Sequence, residues 1–110
     1  MQEIKVSLRR SRRGVLPGYP PELNEEFKRY IRKRDKHRCA ICNKRKRLDV
    51  HHVDYIKQNT TKLNCVSLCR YCHFLLHRLS WSERMVWKYK LWDLVAKREA
   101  GKWKEMSEKL

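Results

Sequence analysis

The sequence is poor in acidic residues and contains no long apolar run. It has 12 Asp and Glu against 28 Lys and Arg, which gives its 110 residues a formal net charge of +16. No stretch approaches the roughly 20 apolar residues that a transmembrane helix needs, so we expect no membrane span. The first residues also lack the apolar core of a secretory signal, which leads us to expect a cytoplasmic protein. The excess of positive charge favours an acidic partner, with nucleic acid the leading candidate.

Glycine and proline are scarce, and most of them lie near the start of the chain. All three prolines and two of the three glycines fall within the first 21 residues. Because these residues interrupt regular structure, we predict a flexible basic arm over residues 1–21. The arm is either a solvated tail or a segment that becomes ordered on nucleic acid.

Hydrophobic periodicity after the arm predicts a small α+β fold. We assign residues 22–80 to a compact core and residues 81–110 to a C-terminal amphipathic helical segment. Ser80 and Glu83 form a capping-box pattern that opens this segment. Within the core, we predict a helix over 22–37, strands over 48–53 and 65–68, and a helix from about residue 70.

The C-terminal helix is predicted to end at Gly101. We expect Trp81 and Trp92 to pack onto the core and Trp87 to be exposed. An exposed face on this helix would offer a docking surface for a second copy of the chain or for another protein. The buried stripe of the helix is predicted to contain Met85, Tyr89, Trp92 and Ala96.

Four of the five cysteines form two pairs with the same spacing. The pairs Cys39-x2-Cys42 and Cys69-x2-Cys72 are separated by 26 residues. This pattern is typical of a structural zinc site, in which two turns supply four thiolates to one tetrahedral ion. Four ordinary buried cysteines or two redox pairs are the alternatives. Cys65 fits neither pair, and we expect it to be a small core residue.

The histidines suggest a second site. His73 and His77 are four residues apart on a predicted helix, a spacing that allows two imidazoles to chelate one ion. His51 and His52 lie on the predicted strand that the zinc site would hold near this helix. Without that context, two histidines four residues apart on a helix more often lie on the surface and bind no ligand.

These residues belong to a longer pattern: Cys39-x2-Cys42, Leu48-Asp49-Val50-His51-His52-Val53, Leu63-Asn64 and Cys69-x2-Cys72-His73. The pattern resembles that of zinc-bearing HNH endonucleases over about residues 30–78. The run from His51 to Tyr55 is similar to phage and mobile-element members. The resemblance implies a ββα-metal (His-Me finger, treble-clef-like) core that holds a divalent ion, in the cytoplasm of a bacterium or a phage-infected host cell.

The resemblance also implies roles for individual residues. His52 would be the general base that activates water, and Asn64 would tie down the loop that orients it. His51 and His73 would hold one catalytic divalent cation, and His77 would be a third ligand or a phosphate contact. Many family members carry Asp where this chain has His51, so the ion could be Mg²⁺, Mn²⁺, Ni²⁺ or Zn²⁺. His51 and His52 can serve one site only if the strand ends there, because adjacent strand residues face opposite ways.

Basic residues mark where a DNA backbone would lie. A run of charge is usually only a solvated face, but here few acids are present to neutralise it. The same composition suits a non-catalytic zinc-finger module that binds nucleic acid, and that alternative stays open. The candidate DNA-binding residues are Arg9, Arg10, Arg12, Arg13, Lys28, Arg32, Lys36, Lys44, Arg45, Lys46 and Arg47.

Overall fold

A computed structural model of the protein describes the backbone of residues 18–108 and the side chains of residues 18–102. Two antiparallel strands followed by helices confirm the predicted small α+β class. No helix in the described range is long and apolar enough to cross a membrane. In chain order, the elements are α1 (Glu25–Arg34), β1 (Leu48–His52), β2 (Cys65–Cys69), α2 (Arg70–His77) and α3 (Trp81–Glu108).

Helix α1 is shorter than the predicted span of 22–37. Asn24 caps its first turn by accepting a hydrogen bond from the backbone N–H of Phe27 at 3.0 Å. The helix stops at Arg34 because Lys36 and His37 adopt left-handed backbone angles, with φ of 58° and 57°. The chain thereby turns sharply into the first cysteine pair.

The sheet brings the end of β1 against α2. Its register pairs Leu48 with Cys69 and His52 with Cys65. Every residue of β2 is buried, because α1 and α3 pack on it as well as α2. Since β2 leads directly into α2, this register places His51 and His52 beside the histidines of that helix.

The predicted buried stripe of α3 is wrong at two of its four residues. Leu91 and Val95 are the residues that this helix buries in the core, whereas Tyr89 and Ala96 are exposed. Leu91 and Val95 are four residues apart and therefore lie on one helix face. Tyr89 and Ala96 were thus assigned to the wrong face.

The predictions for two tryptophans and for Gly101 are also wrong. Trp81 is 77% exposed, whereas Trp87 packs against the core. Trp92 packs against the core as predicted. Helix α3 continues through Gly101 to Glu108, since a helix tolerates one glycine at a cost of about 1 kcal/mol relative to alanine. The capping box is confirmed, because Ser80 Oγ accepts from the backbone N–H of Glu83 at 3.4 Å and Glu83 Oε1 accepts from the backbone N–H of Ser80 at 3.3 Å.

A buried carboxylate fixes α3 to the rest of the fold. Asp35 is 2% exposed and accepts hydrogen bonds from Arg34, from the backbone N–H of Ser67 in β2 and from Arg98 in α3. Arg34 also donates to the carbonyl of Cys65 and to Glu99. These bonds join α1, β2 and α3, and so fix the strand that pairs with the histidine-bearing β1.

Candidate metal centres and adjoining cleft

The two cysteine pairs meet in one cluster. Cys39 and Cys42 lie on the turn before β1, and Cys69 and Cys72 lie at the junction of β2 and α2. All four sulfur atoms are within 4.8 Å of one another, and those of Cys42 and Cys69 are 3.8 Å apart. Thiolates bound to a tetrahedral zinc at about 2.3 Å lie about 3.8 Å apart, so the cluster fits a structural zinc ion. Cys65 is buried outside the cluster.

Backbone N–H groups donate to two of the four sulfur atoms, an arrangement that favours thiolates. The Cys39 sulfur accepts from the backbone N–H groups of Ile41 and Cys42, and the Cys69 sulfur accepts from that of Cys72. Burial raises the pKa of the Cys39 thiol, but these and other hydrogen bonds outweigh burial and lower it to about 7. Burial, followed by the neighbouring thiols, raises the pKa of Cys72. A bound cation would be needed to hold all four as thiolates.

A second cluster contains three imidazoles. His51 lies in β1, and His73 and His77 lie one turn apart in α2. One ring nitrogen from each lies within 4.8 Å of the others, and the Nε2 atoms of His73 and His77 are 3.1 Å apart. Nitrogens bound to one ion at 2.0–2.1 Å lie about 3–3.4 Å apart. The three histidines can therefore hold a metal ion together.

His51 provides the clearest indication of a ligand. It is 2% exposed, and its Nε2 has no hydrogen-bond partner among the described residues. Burial, followed by the imidazoles of His73 and His77, lowers the pKa of His51 to about 3, so the ring is neutral near pH 7. A neutral imidazole with an unpartnered buried nitrogen is costly in an apo fold and suits a metal ligand.

Neighbouring side chains orient the other two imidazoles. Asp49 Oδ2 lies 3.3 Å from His73 Nδ1. A carboxylate accepts only from a protonated nitrogen, so this contact leaves the His73 Nε2 lone pair facing the cluster. The Tyr55 ring makes edge contacts with His51 and His77 at 5.1 Å between centroids. Burial, followed by His73 and Arg84, lowers the pKa of His77.

His52 lies beside the cluster rather than within it. Both His51 and His52 line a cavity of about 350 Å³, which we call the imidazole cavity; its wall also includes His73 and His77. The strand ends at His52, which allows two adjacent histidines to face one cavity. Burial lowers the pKa of His52, partly opposed by Asp54.

A hydrogen-bond chain defines the tautomer of His52. Its Nε2 lies 3.0 Å from Thr60 Oγ1, and that hydroxyl donates to the carbonyl of Lys57 at 2.8 Å. Because the hydroxyl has only one proton to donate, it accepts from a protonated Nε2. The network thus assigns the proton of neutral His52 to Nε2 and leaves Nδ1 as the basic nitrogen.

Asn64 fastens the loop between the two strands. Its amide nitrogen donates to Asp54 at 2.9 Å and to the carbonyl of Asn59 at 2.8 Å. Its oxygen accepts from the indole N–H of Trp92 at 2.9 Å and from the backbone N–H of Asp54 at 3.3 Å. The loop that contains Thr60 is therefore fixed at both ends by a residue that is 3% exposed.

A cleft of about 480 Å³ adjoins the imidazole cavity and shares His73 with it. Four cationic residues line this basic cleft, together with Glu25 and Asp49. Arg32 pairs with Glu25 at 3.5 Å. The cations are Lys28, Arg32, Arg47 and Arg70.

The other candidate DNA-binding residues lie elsewhere. Three of them, Lys36, Lys44 and Arg45, are exposed outside the cleft, and Lys46 is exposed beside it. The predicted contacts at Arg9, Arg10, Arg12 and Arg13 lie outside the described residues.

Sequence reasoning missed the residues that position the histidines. Asp49 lies two residues before His51 in β1, so both face the same side of the strand, and this spacing could have revealed it. Thr60 and Tyr55 reach the histidines only through the path of the loop, which no spacing rule predicts. Arg70 in the basic cleft was missed because it stands alone in the sequence.

Comparison with known proteins assigns no family: no protein-family model matches the chain, and no curated protein or solved structure matches it significantly.

Proposed function

We propose that the protein is a metal-dependent DNA endonuclease of the HNH type, with a structural zinc in the cysteine cluster and one divalent ion in the histidine cluster. The observation that carries this proposal is that ring nitrogens of His51, His73 and His77 lie within 4.8 Å of one another, and that Nε2 of buried His51 has no partner among the described residues. Binding of nucleic acid alone does not require three converging imidazoles beside a fourth, that of His52.

Residues in and around the imidazole cavity have separate roles in the proposed phosphodiester hydrolysis. His51, His73 and His77 would hold the ion, which supplies Lewis-acid stabilisation of charge on the phosphate and the leaving 3′ oxygen. His52 takes a proton from the attacking water at Nδ1, while Thr60 fixes the ring through Nε2. Asn64 holds the loop that carries Thr60 and so acts as a positioning residue.

The basic cleft supports DNA as the substrate. Its four cations lie next to His73, where they would hold the backbone on either side of the scissile phosphate. The net charge of +16 adds a long-range attraction for a polyanion. Such contacts position the backbone without selecting a sequence.

Nicking of supercoiled plasmid by zinc-loaded protein tests the proposal. We expect nicking that requires an added second ion, chosen in turn from Mg²⁺, Mn²⁺, Ni²⁺ and Zn²⁺. Replacing the exposed ligand His77 with alanine should slow nicking at least about tenfold, since loss of a ligand weakens ion binding, and should leave the zinc content unchanged.

His37→Ala is the matched control, because His37 is exposed and lies outside both clusters. This variant should nick at the wild-type rate. If the folded, zinc-loaded protein binds DNA but cuts it with none of the four ions, the nuclease proposal fails in favour of the non-catalytic zinc module.

A further inference from the structure

The outward face of α2 carries two large aromatic side chains that the proposed chemistry does not use. Tyr71 is 65% exposed and Phe74 is 55% exposed. They are three residues apart and share one helix face, whereas Cys72 and Leu76 on another face are buried. Two adjacent exposed rings on a small domain indicate a contact surface.

Cations surround these rings. A groove of about 520 Å³ is lined by Tyr71, Phe74 and Cys69 together with Lys46, Arg47 and Arg70. None of the described residues that line this aromatic groove is acidic. The guanidinium of Arg78 lies 5.2 Å from the centroid of the Phe74 ring. An apolar surface surrounded by cations is complementary to a ligand that carries both rings and phosphates.

The aromatic groove continues into the basic cleft. Arg47 and Arg70 line both, and the cleft also contains His73 of the proposed ion site. A strand held in the cleft would therefore extend past these two arginines onto the rings of α2.

We propose that the aromatic groove binds unpaired nucleotides of single-stranded DNA by stacking bases on Tyr71 and Phe74. Bases in a duplex are stacked on one another and offer only their edges, whereas unpaired bases offer the faces that aromatic side chains bind. This inference rests on the proposed nuclease function and narrows its substrate to DNA with a single-stranded segment beside the scissile phosphate.

Fluorescence anisotropy with the full zinc-loaded chain and no second ion tests the groove. The probes are a labelled oligonucleotide and the same oligonucleotide in a blunt duplex. Phe74→Ala should weaken single-strand binding about 5- to 150-fold, the range equivalent to 1–3 kcal/mol per stacked base. Duplex binding should change less than about twofold, since cations dominate it.

Two further variants separate stacking from other effects. Phe74→Trp keeps an aromatic face and should retain single-strand binding. Tyr89→Ala removes an equally exposed ring, 61% exposed on α3, and should change neither affinity. Zinc content and circular dichroism of each variant establish that it is folded.

Equal losses for single strand and duplex, or no loss for either, would overturn the inference. It would also be overturned if Phe74→Ala abolished self-association in sedimentation while single-strand binding persisted, because the groove would then be a protein contact. Since the binding assay needs neither ion nor cleavage, it is independent of the nicking test. If the protein binds single strands through the rings but does not nick DNA, only the nuclease proposal is rejected. If it nicks DNA but its single-strand binding does not depend on the rings, only the groove proposal is rejected.

Discussion

Two imidazoles of the cavity, those of His52 and His73, make a second contact that selects the nitrogen each presents. Asp49 leaves Nε2 of His73 unprotonated, and Thr60 leaves Nδ1 of His52 unprotonated. The histidines themselves could be predicted from their spacing in the sequence. Asp49 could have been found from its two-residue spacing to His51, whereas Thr60 could not, because only the path of the loop brings it to His52.

We predict that Asp49→Ala weakens ion binding to the histidine cluster by about 10- to 100-fold, since the His73 ring loses the contact that orients it. Calorimetric titration of zinc-loaded protein with Ni²⁺ measures this affinity. Asp93→Ala is the control, because Asp93 is exposed and pairs only with Lys97 on the same helix. Equal Ni²⁺ affinity in the Asp49 variant and the wild type would exclude the orienting role.

A second residue-scale prediction concerns Asn64. Asn64→Ala should lower the free energy of unfolding by about 1–3 kcal/mol, because buried groups that bond to the amide lose their partner. Urea denaturation of the zinc-loaded protein measures the change. Gln58→Ala, at an exposed position in the same loop, should change it by less than about 0.5 kcal/mol. A similar small change in the Asn64 variant would show that the loop does not need this side chain.

At the scale of elements, the limits of the strands and the start of α2 were predicted well because cysteines and polar turns mark where these elements begin and end. The first helix was predicted too long, since nothing in its composition signals the left-handed angles of Lys36 and His37. Tyr89 and Ala96 in α3 were assigned to the buried face because their helical spacing fits a buried stripe as well as that of Leu91 and Val95 does. Which face is buried depends on the docking of α3 onto α1 and β2, which is tertiary information.

The cysteine cluster connects the turn before β1 to the start of α2, so we predict that folding requires zinc. Cys42→Ala should abolish stoichiometric zinc binding and leave the purified protein largely unfolded by circular dichroism, as structural zinc contributes on the order of 10 kcal/mol. Cys65→Ala, which alters a cysteine outside the cluster, should retain one zinc ion. A folded, zinc-free Cys42 variant would contradict the structural role of the ion.

At the scale of the whole molecule, the cations of the basic cleft and of the aromatic groove form one connected surface. The basic cleft lies beside the imidazole cavity, and the aromatic groove extends it. Net charge indicated a nucleic-acid partner from composition alone. It could not show that Arg47 and Arg70 connect the two surfaces, because that depends on how β1 and α2 pack.

We predict a steep salt dependence for DNA binding. If about 6–10 phosphates are contacted, affinity should fall about 10³- to 10⁵-fold between about 50 and 200 mM salt. Removing residues 1–16, which include four of the candidate DNA-binding arginines, should weaken binding and reduce this slope while nicking persists. Anisotropy titrations over a salt series measure both. A slope unchanged by the truncation would exclude the arm from phosphate binding.

The most direct test of the nuclease proposal is single-turnover nicking by His52→Ala, with Ni²⁺ affinity measured on the same zinc-loaded protein. The ligands of the histidine cluster do not include His52, so ion affinity should stay within about threefold of wild type. Nicking should fall about 10²- to 10⁴-fold, the usual contribution of a general base. Wild-type nicking by a folded His52→Ala protein that still binds the ion would contradict the account.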